Sequence, residues 1–267
     1  MVCNSQTSFC TIAPPVPRVQ IGHALVHSCY FDEMVETIVR SARNGETIYV
    51  VTPNAQHVVL LAKDAYLRKI YSAAAFVLPD GVSLLLAARI LGQKIPHRIA
   101  GVDMFGALCR RAAHEGLRVF LLGGRPGSAE AAAAKLVAQN PGLIVSGTYC
   151  PPLGFEKDPR QREEIEARIT AAHPHLLFVA LGAPKQEYWM YEHARNLGVP
   201  VAMGVGGSFE MVSGAVARAP RLLQQMGIEW VYRLMREPGR MWKRYLIGNL
   251  QFANIVLRQR LNLQNEQ

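Results

Sequence analysis

Six short apolar runs, rich in β-branched residues, recur along the chain and are separated by helix-patterned stretches. The runs are Thr47–Thr52, Phe76–Leu78, Leu117–Leu122, Leu143–Tyr149, His175–Leu181 and Val199–Val205. Between them, Val58, Leu61, Ala62 and Ala65 fall at helical spacing, as do Val82, Leu85, Leu86 and Ile90. Met104–Glu115, with Asp103 as its cap, and Ala129–Gln139, Pro159–Ala172 and Glu187–Leu197 read as further helices. Strands alternating with helices imply βαβ units with right-handed crossovers. The predicted fold is α/β: a mostly parallel, Rossmann-like sheet flanked by helices.

Five of the runs end in small or polar loops: Thr52-Pro53-Asn54, Pro79-Asp80-Gly81, Gly123-Gly124-Arg125-Pro126-Gly127-Ser128, Gly182-Ala183-Pro184-Lys185-Gln186 and Gly204-Val205-Gly206-Gly207-Ser208. In a parallel sheet such loops gather at one edge, where ligands bind outside the carboxyl ends of the strands. Asp-Gly by itself is common turn chemistry. At a strand end among converging loops, the Asp80 carboxylate also suits a general base acting on a hydroxyl. Arg98 returns near it after one helix. Gly123 and Gly124 allow backbone N–H groups to approach a phosphate at a helix start, or they form a plain tight turn. The run is neither a Walker A sequence nor GxGxxG. Lys185 and Gln186 reach a ligand from a helix start or serve as cap and surface residues. Gly206 and Gly207 permit close backbone approach. His173 and His175 read as a surface turn, and His57 and His97 are minor candidates near the loop edge. No HExxH, no Ser/His/Asp set and no DxD pair for a metal–diphosphate site is visible.

The tail has a different character. From Arg218 onward nine Lys/Arg stand against three Glu, so the last 50 residues carry +6 of the net +9. Arg218-Ala219-Pro220 reads as a linker. Leu223, Met226, Trp230 and Leu234 fall at helical spacing, Pro238-Gly239 interrupts, and Trp242, Leu246, Leu250, Ala253, Leu257 and Leu261 form a second apolar stripe. Cations and aromatics beside such a stripe describe a helix in a membrane interface. A pair of helices packed on the main domain fits the pattern equally. The excess charge points to an anionic partner. Interleaved Leu, Ile, Trp and Val argue against nucleic acid. No apolar run reaches the roughly 18 residues of a membrane span. Five scattered cysteines without CxxC disfavour structural disulfides and zinc, which suits a reducing cytosol. The expected organisation is a flexible arm over 1–18, with no secretory signal, a catalytic α/β domain over 19–217 and a basic amphipathic appendage over 218–267.

The loops above, together with Arg98-Ile99-Ala100-Gly101, Gly182-Ala183-Pro184-Lys185-Gln186-Glu187, Gly227-Ile228-Glu229-Trp230, Tyr232-Arg233-Leu234 and Glu237-Pro238, occur in the order seen in the WecG/TagA/CpsF glycosyltransferases, glycosyltransferase family 26. The resemblance covers roughly residues 20 to 250 and is greatest to the branch linked to xanthan-type exopolysaccharide. It implies an inverting, membrane-associated hexosyltransferase at the cytoplasmic face of the bacterial inner membrane. Such an enzyme moves a sugar from a UDP-sugar to a sugar on undecaprenyl diphosphate, with no cofactor and no metal. For this chain the resemblance implies glucose as the sugar, with N-acetylmannosamine and its uronic acid as alternatives. It makes Asp80 the base, has Thr52, Asn54 and Gln186 contact donor or acceptor, and lines the same pocket with Arg98. Arg233, Arg236 and Arg240 of the tail would close over the UDP diphosphate. A non-catalytic nucleotide-binding module with a basic tail is the reading from another class. A dinucleotide oxidoreductase is weaker, because the first strand ends in Thr-Pro-Asn. Oligomeric state is left open, a homo-oligomer included.

Overall fold

The computed structural model describes residues 16–220, 223, 229–236 and 238–265. Within these, the side chains of Trp230, Arg233, Pro238, residues 240–246 and residues 263–265 fall outside the description. Most of the predicted arm, residues 1–15, therefore lies outside it as well.

The described chain opens with an antiparallel hairpin, β1 (Arg18–Ile21) and β2 (Ala24–His27), turned at Gly22 with φ 56°. Helix α1 (Phe31–Asn44) follows, then β3 (Ile48–Val51), α2 (Ala55–Lys63), α3 (Ala65–Ala73), β4 (Phe76–Val77), α4 (Val82–Ile90) and α5 (Gly101–Glu115). The second half runs through β5 (Arg118–Gly123), α6 (Ser128–Gln139), β6 (Ile144–Tyr149), α7 (Pro159–Ala172), β7 (Leu176–Ala180), α8 (Lys185–Trp189), β8 (Val201–Gly204) and α9 (Ser208–Ser213). Helix α8 continues as a π-helical turn, Met190–Ala194, where an α-helix to Leu197 was expected.

Strands β3 to β8 form one sheet in the order β4-β3-β8-β7-β5-β6, and every neighbouring pair is parallel. The α/β expectation holds. Every residue of β3 and β7 is buried, as a parallel strand covered on both faces requires. One face carries α2, α3, α4, α7, α8 and the β1–β2 hairpin. The other carries α1, α5, α6 and α9.

Strands β3 and β8 are adjacent, yet the helix after β3 lies on one face and the helix after β8 on the other. The chain thus parts to opposite sides at their carboxyl ends, which opens a crevice there.

Beyond Ser213 the chain is better anchored than a linker. Ala219 is buried, and Arg218 is paired with Asp103. Helices α10 (Glu229–Arg236) and α11 (Pro238–Asn265) follow. The expected interruption at Pro238-Gly239 is the start of α11, since proline suits the first turn of a helix. Helix α11 packs on α2 and α4, and its Phe252 and Val256 are buried. Gln259 clasps the hairpin, taking the Gly22 N–H at 2.8 Å and donating to Gln20 O at 3.0 Å. Of the apolar stripe read from the sequence, the Trp242 and Leu246 side chains lie outside the described residues, and the other four do not form the packing face. Leu250, Ala253, Leu257 and Leu261 are exposed. No helix among the described residues is long and apolar enough to cross a membrane.

Candidate active site

Backbone hydrogen bonds knit the first loops of the crevice. The Leu78 N–H donates to Val51 O, and the Asp80 N–H donates to Pro53 O, each at 2.8 Å, so β4 and its loop run on beside β3 and its loop. The Ile99 N–H donates to Pro79 O at 2.8 Å and brings in the segment before α5. Thr52 is buried, and its hydroxyl donates to Gly204 O at 3.2 Å, across to β8. Asn54 caps α2: its Oδ1 accepts the Gln56 N–H at 3.0 Å, while His57, at the third helical position, closes a capping box.

Asp80 is half-buried, and its Oδ2 accepts the Gly101 N–H at 3.3 Å. A side chain at Gly101 would not fit comfortably. Its Cβ would lie 3.2 Å from Thr52 Oγ1 and 3.7 Å from Asp80 Oδ2. Thr52, Asp80 and the start of α5 thus meet at one point. Asp103 is not the cap of α5, which begins at Gly101 after Ala100, but lies in its first turn.

Burial pushes the Asp80 carboxyl above its ordinary value. The Arg98 charge and the Gly101 N–H oppose this, Glu229 adds to it, and His57 opposes it weakly. Arg98 Nη1 is 3.3 Å from Glu229 Oε2, and Nη2 is 3.9 Å from Asp103 Oδ2. Arg218 grips Asp103 with two bonds, at 2.5 and 2.8 Å, and has Nε 3.9 Å from Glu229 Oε1. Burial works against the Arg218 charge, but Asp103, Glu229 and Asp80 outweigh it and hold the guanidinium above its ordinary value. The first residue of α10 is therefore fastened beside the catalytic candidate.

Gln186 enters from β7. It is buried, its Oε1 accepts the Gly206 N–H at 3.1 Å and its Nε2 donates to Glu187 Oε1 at 3.0 Å. Gly204 makes room for it, since a Cβ there would lie 2.9 Å from Gln186 Nε2. The loop also holds a cis Ala183–Pro184 peptide. Nothing stands within 4 Å of a Cβ at Gly206, and only Glu210 Oε2 does so at Gly207, so that loop stays open.

Other predicted site residues are not brought to Asp80. The Lys185 ammonium pairs with Glu156 at 2.5 Å. At Gly123 a Cβ would lie 2.7 Å from Ala180 O, and at Gly124 it would collide with Ser128 Oγ. Three amides of that loop are paired within the protein: Gly124 N–H donates to Ala180 O, Arg125 N–H to Glu210 Oε1 and Ser128 N–H to Arg125 O. These contacts account for the glycines as a tight turn. Arg236 is exposed, and its guanidinium lies over its own helix's Tyr232. The side chains of Arg233 and Arg240 lie outside the described residues. Among the described residues, no three His, Cys, Asp or Glu gather where they would hold a metal ion.

The description of the WecG/TagA/CpsF glycosyl transferase family matches residues 19–266. This chain belongs to that family. Two relatives carry the name N-acetylglucosaminyldiphosphoundecaprenol N-acetyl-beta-D-mannosaminyltransferase. The protein of Bacillus spizizenii is 33% identical over 198 residues, 74% of each chain. That of Bacillus subtilis is 31% identical over 218 residues, 82% of this chain and 81% of its own. As a member of the family the chain is a glycosyltransferase. Its crevice gathers Thr52, Asn54, Asp80, Arg98 and Gln186, together with five residues that sequence reasoning did not assign a role there or held only as minor: His57, Asp103, Glu187, Arg218 and Glu229. His57 was legible as the third helical residue after an asparagine cap. The Arg98–Glu229 and Arg218–Asp103 pairs join residues more than a hundred positions apart and leave no local signal.

Proposed function

We propose that this enzyme transfers N-acetylmannosamine from a UDP-linked donor to N-acetylglucosamine on undecaprenyl diphosphate, with inversion. The observation that carries the reading is Asp80, beside Arg98 at the crevice of a chain whose relatives bear that transferase name. The glucose and xanthan expectation finds no support in those relatives, and the donor assignment follows them instead.

Burial raises the affinity of Asp80 for a proton, as a general base working near neutrality needs. The acceptor hydroxyl attacks the anomeric carbon, its proton passes to Asp80, and the bond to UDP breaks on the opposite face. Charge then develops on the departing diphosphate, which fixed cations and backbone dipoles stabilise. Arg98 and the N-terminus of α5, which flank Asp80, are the first candidates, and the tail arginines Arg233, Arg236 and Arg240 are the further ones. Thr52, Asn54 and Gln186 contact the sugars. No cofactor takes part.

The outer stripe of α11 gives the enzyme a way to meet its lipid-linked acceptor. Ile247, Leu250, Leu257 and Leu261 are exposed, with Arg258 exposed beside them. Apolar residues among cations suit a helix lying in an anionic interface, so the enzyme works as a peripheral protein on the cytoplasmic leaflet.

A donor panel tests the substrate. With lipid-linked N-acetylglucosamine as acceptor, transfer is expected from UDP-N-acetylmannosamine. Transfer from UDP-glucose or the uronic acid donor, with none from UDP-N-acetylmannosamine, would overturn the assignment.

A further inference from the structure

Beside Gln186 and Asn54 lies a buried polar pair, Glu187 and His57, that the reaction above leaves unused. Glu187 is 1% exposed, and its Oε1 takes the Gln186 Nε2–H at 3.0 Å while facing His57 Nε2 at 3.7 Å. Gln186 Oε1 accepts the Gly206 N–H, and His57 Nδ1 accepts the Asn54 N–H at 3.2 Å. One run of contacts, Asn54–His57–Glu187–Gln186–Gly206, thus joins the loops after β3, β7 and β8.

A carboxylate is costly to bury without full pairing, and this one is not fully paired. Glu187 Oε2 and His57 Nε2 have no hydrogen-bond partner among the described residues. What the carboxylate supplies is direction. A glutamine amide has two orientations that exchange its donor and its acceptor. Glu187 accepts only, so it holds Gln186 with nitrogen toward itself and oxygen toward Gly206. A neutral imidazole likewise has two tautomers. Nδ1 stands 3.2 Å from the Asn54 nitrogen, whose N–H it can accept, and 3.0 Å from Asn54 Oδ1, to which it could donate, so Asn54 alone permits either tautomer. The carboxylate facing Nε2 at 3.7 Å favours hydrogen there and Nδ1 as the acceptor. One buried group therefore selects both the amide orientation of Gln186 and the tautomer of His57.

We propose that Glu187 is a positioning residue for sugar transfer, holding Gln186 directly and Asn54 through His57 in one orientation toward the crevice; this rests on the transfer reaction proposed above. Glu187 acts through those neighbours and touches no substrate.

The test pairs kinetics with spectroscopy on the full chain. Glu187→Gln keeps the volume and removes the acceptor-only character. It is expected to lower kcat/KM with UDP-N-acetylmannosamine by about tenfold or more, and His57→Gln to do the same, with the double variant no worse than the weaker single one. Nitrogen-15 signals of His57 are expected to show hydrogen on Nε2 in the wild type and to lose that preference in Glu187→Gln. Should Glu187→Gln fail to fold, His57→Gln carries the kinetic comparison, and a normal rate there overturns the proposal. Normal kinetics in Glu187→Gln, additive losses, or an unchanged tautomer would also overturn it. If the wild type does not use that donor at all, the substrate assignment fails. The positioning role is then decided by the imidazole signals alone, where a lost preference supports it and an unchanged one contradicts it.

Discussion

The Gly101 N–H donates to Asp80 Oδ2 at 3.3 Å, at the first residue of α5. The positive end of a helix therefore faces a carboxylate whose burial favours its neutral form. Burial wins, and the folded protein binds this proton more tightly than the unfolded chain does. Its contribution to stability is then present below the ordinary carboxylate value and lost as pH rises through the folded value. Asp80→Asn keeps an acceptor for Gly101 and has no charge to bury. At pH 7 it is expected to melt about 2 °C or more above the wild type, and the gap is expected to shrink as the pH is lowered. Thermal unfolding across pH reads this directly.

Charges around Asp80 set the acid limb of activity. Arg98 lowers its proton affinity and Glu229 raises it. Transfer by a base rises as pH passes upward through its pKa. Arg98→Met is therefore expected to move the acid limb of kcat/KM to higher pH, and Glu229→Gln to move it to lower pH. Shifts of opposite sign in the two profiles are the signature to measure.

His27 makes the fold acid-sensitive. Burial, then the Arg18 charge, lowers its pKa to about 4, against a weaker opposing backbone bond to Val77. Its Nδ1 accepts the Val77 N–H at 2.9 Å, which a protonated ring cannot do. The unfolded chain binds this proton near the ordinary value of 6.5, so the contribution is complete above that value and lost as pH falls toward the folded one. About 1.4 kcal/mol per pH unit makes the loss roughly 3 kcal/mol. Urea midpoints at the two ends of this range are expected to converge in His27→Gln.

Gly123 ends β5 with φ 98°, and a Cβ there would press on the Ala180 carbonyl of β7. Gly123→Ala is expected to destabilise the fold by about 1–3 kcal/mol, seen as a lower urea midpoint.

The sheet was legible because strands buried on both faces, such as Ile48–Val51 and Leu176–Ala180, read as unbroken apolar runs between loops. The hairpin was not, since its strands have four residues each and alternate only briefly. Helix α1 did carry a readable spacing in Met34, Val35, Ile38, Val39 and Ala42, ahead of the Thr47–Thr52 run. For α11, apolar residues lie on two faces, and spacing does not say which one packs: Phe252 and Val256 are inside, Leu250 and Leu257 outside. At the site, residues on strand-end loops were readable because topology brings those loops together. Lys185 precedes Gln186 at the start of α8, yet its ammonium turns to Glu156, a pairing that spacing does not reveal.

Asp80 as the base is the claim on which the rest depends. The most direct measurement is single-turnover transfer from UDP-N-acetylmannosamine to lipid-linked N-acetylglucosamine by Asp80→Asn, with UDP affinity determined on the same sample. The expected result is a rate lower by about 10²-fold or more with UDP binding intact. A near-normal rate with intact UDP binding would contradict the account.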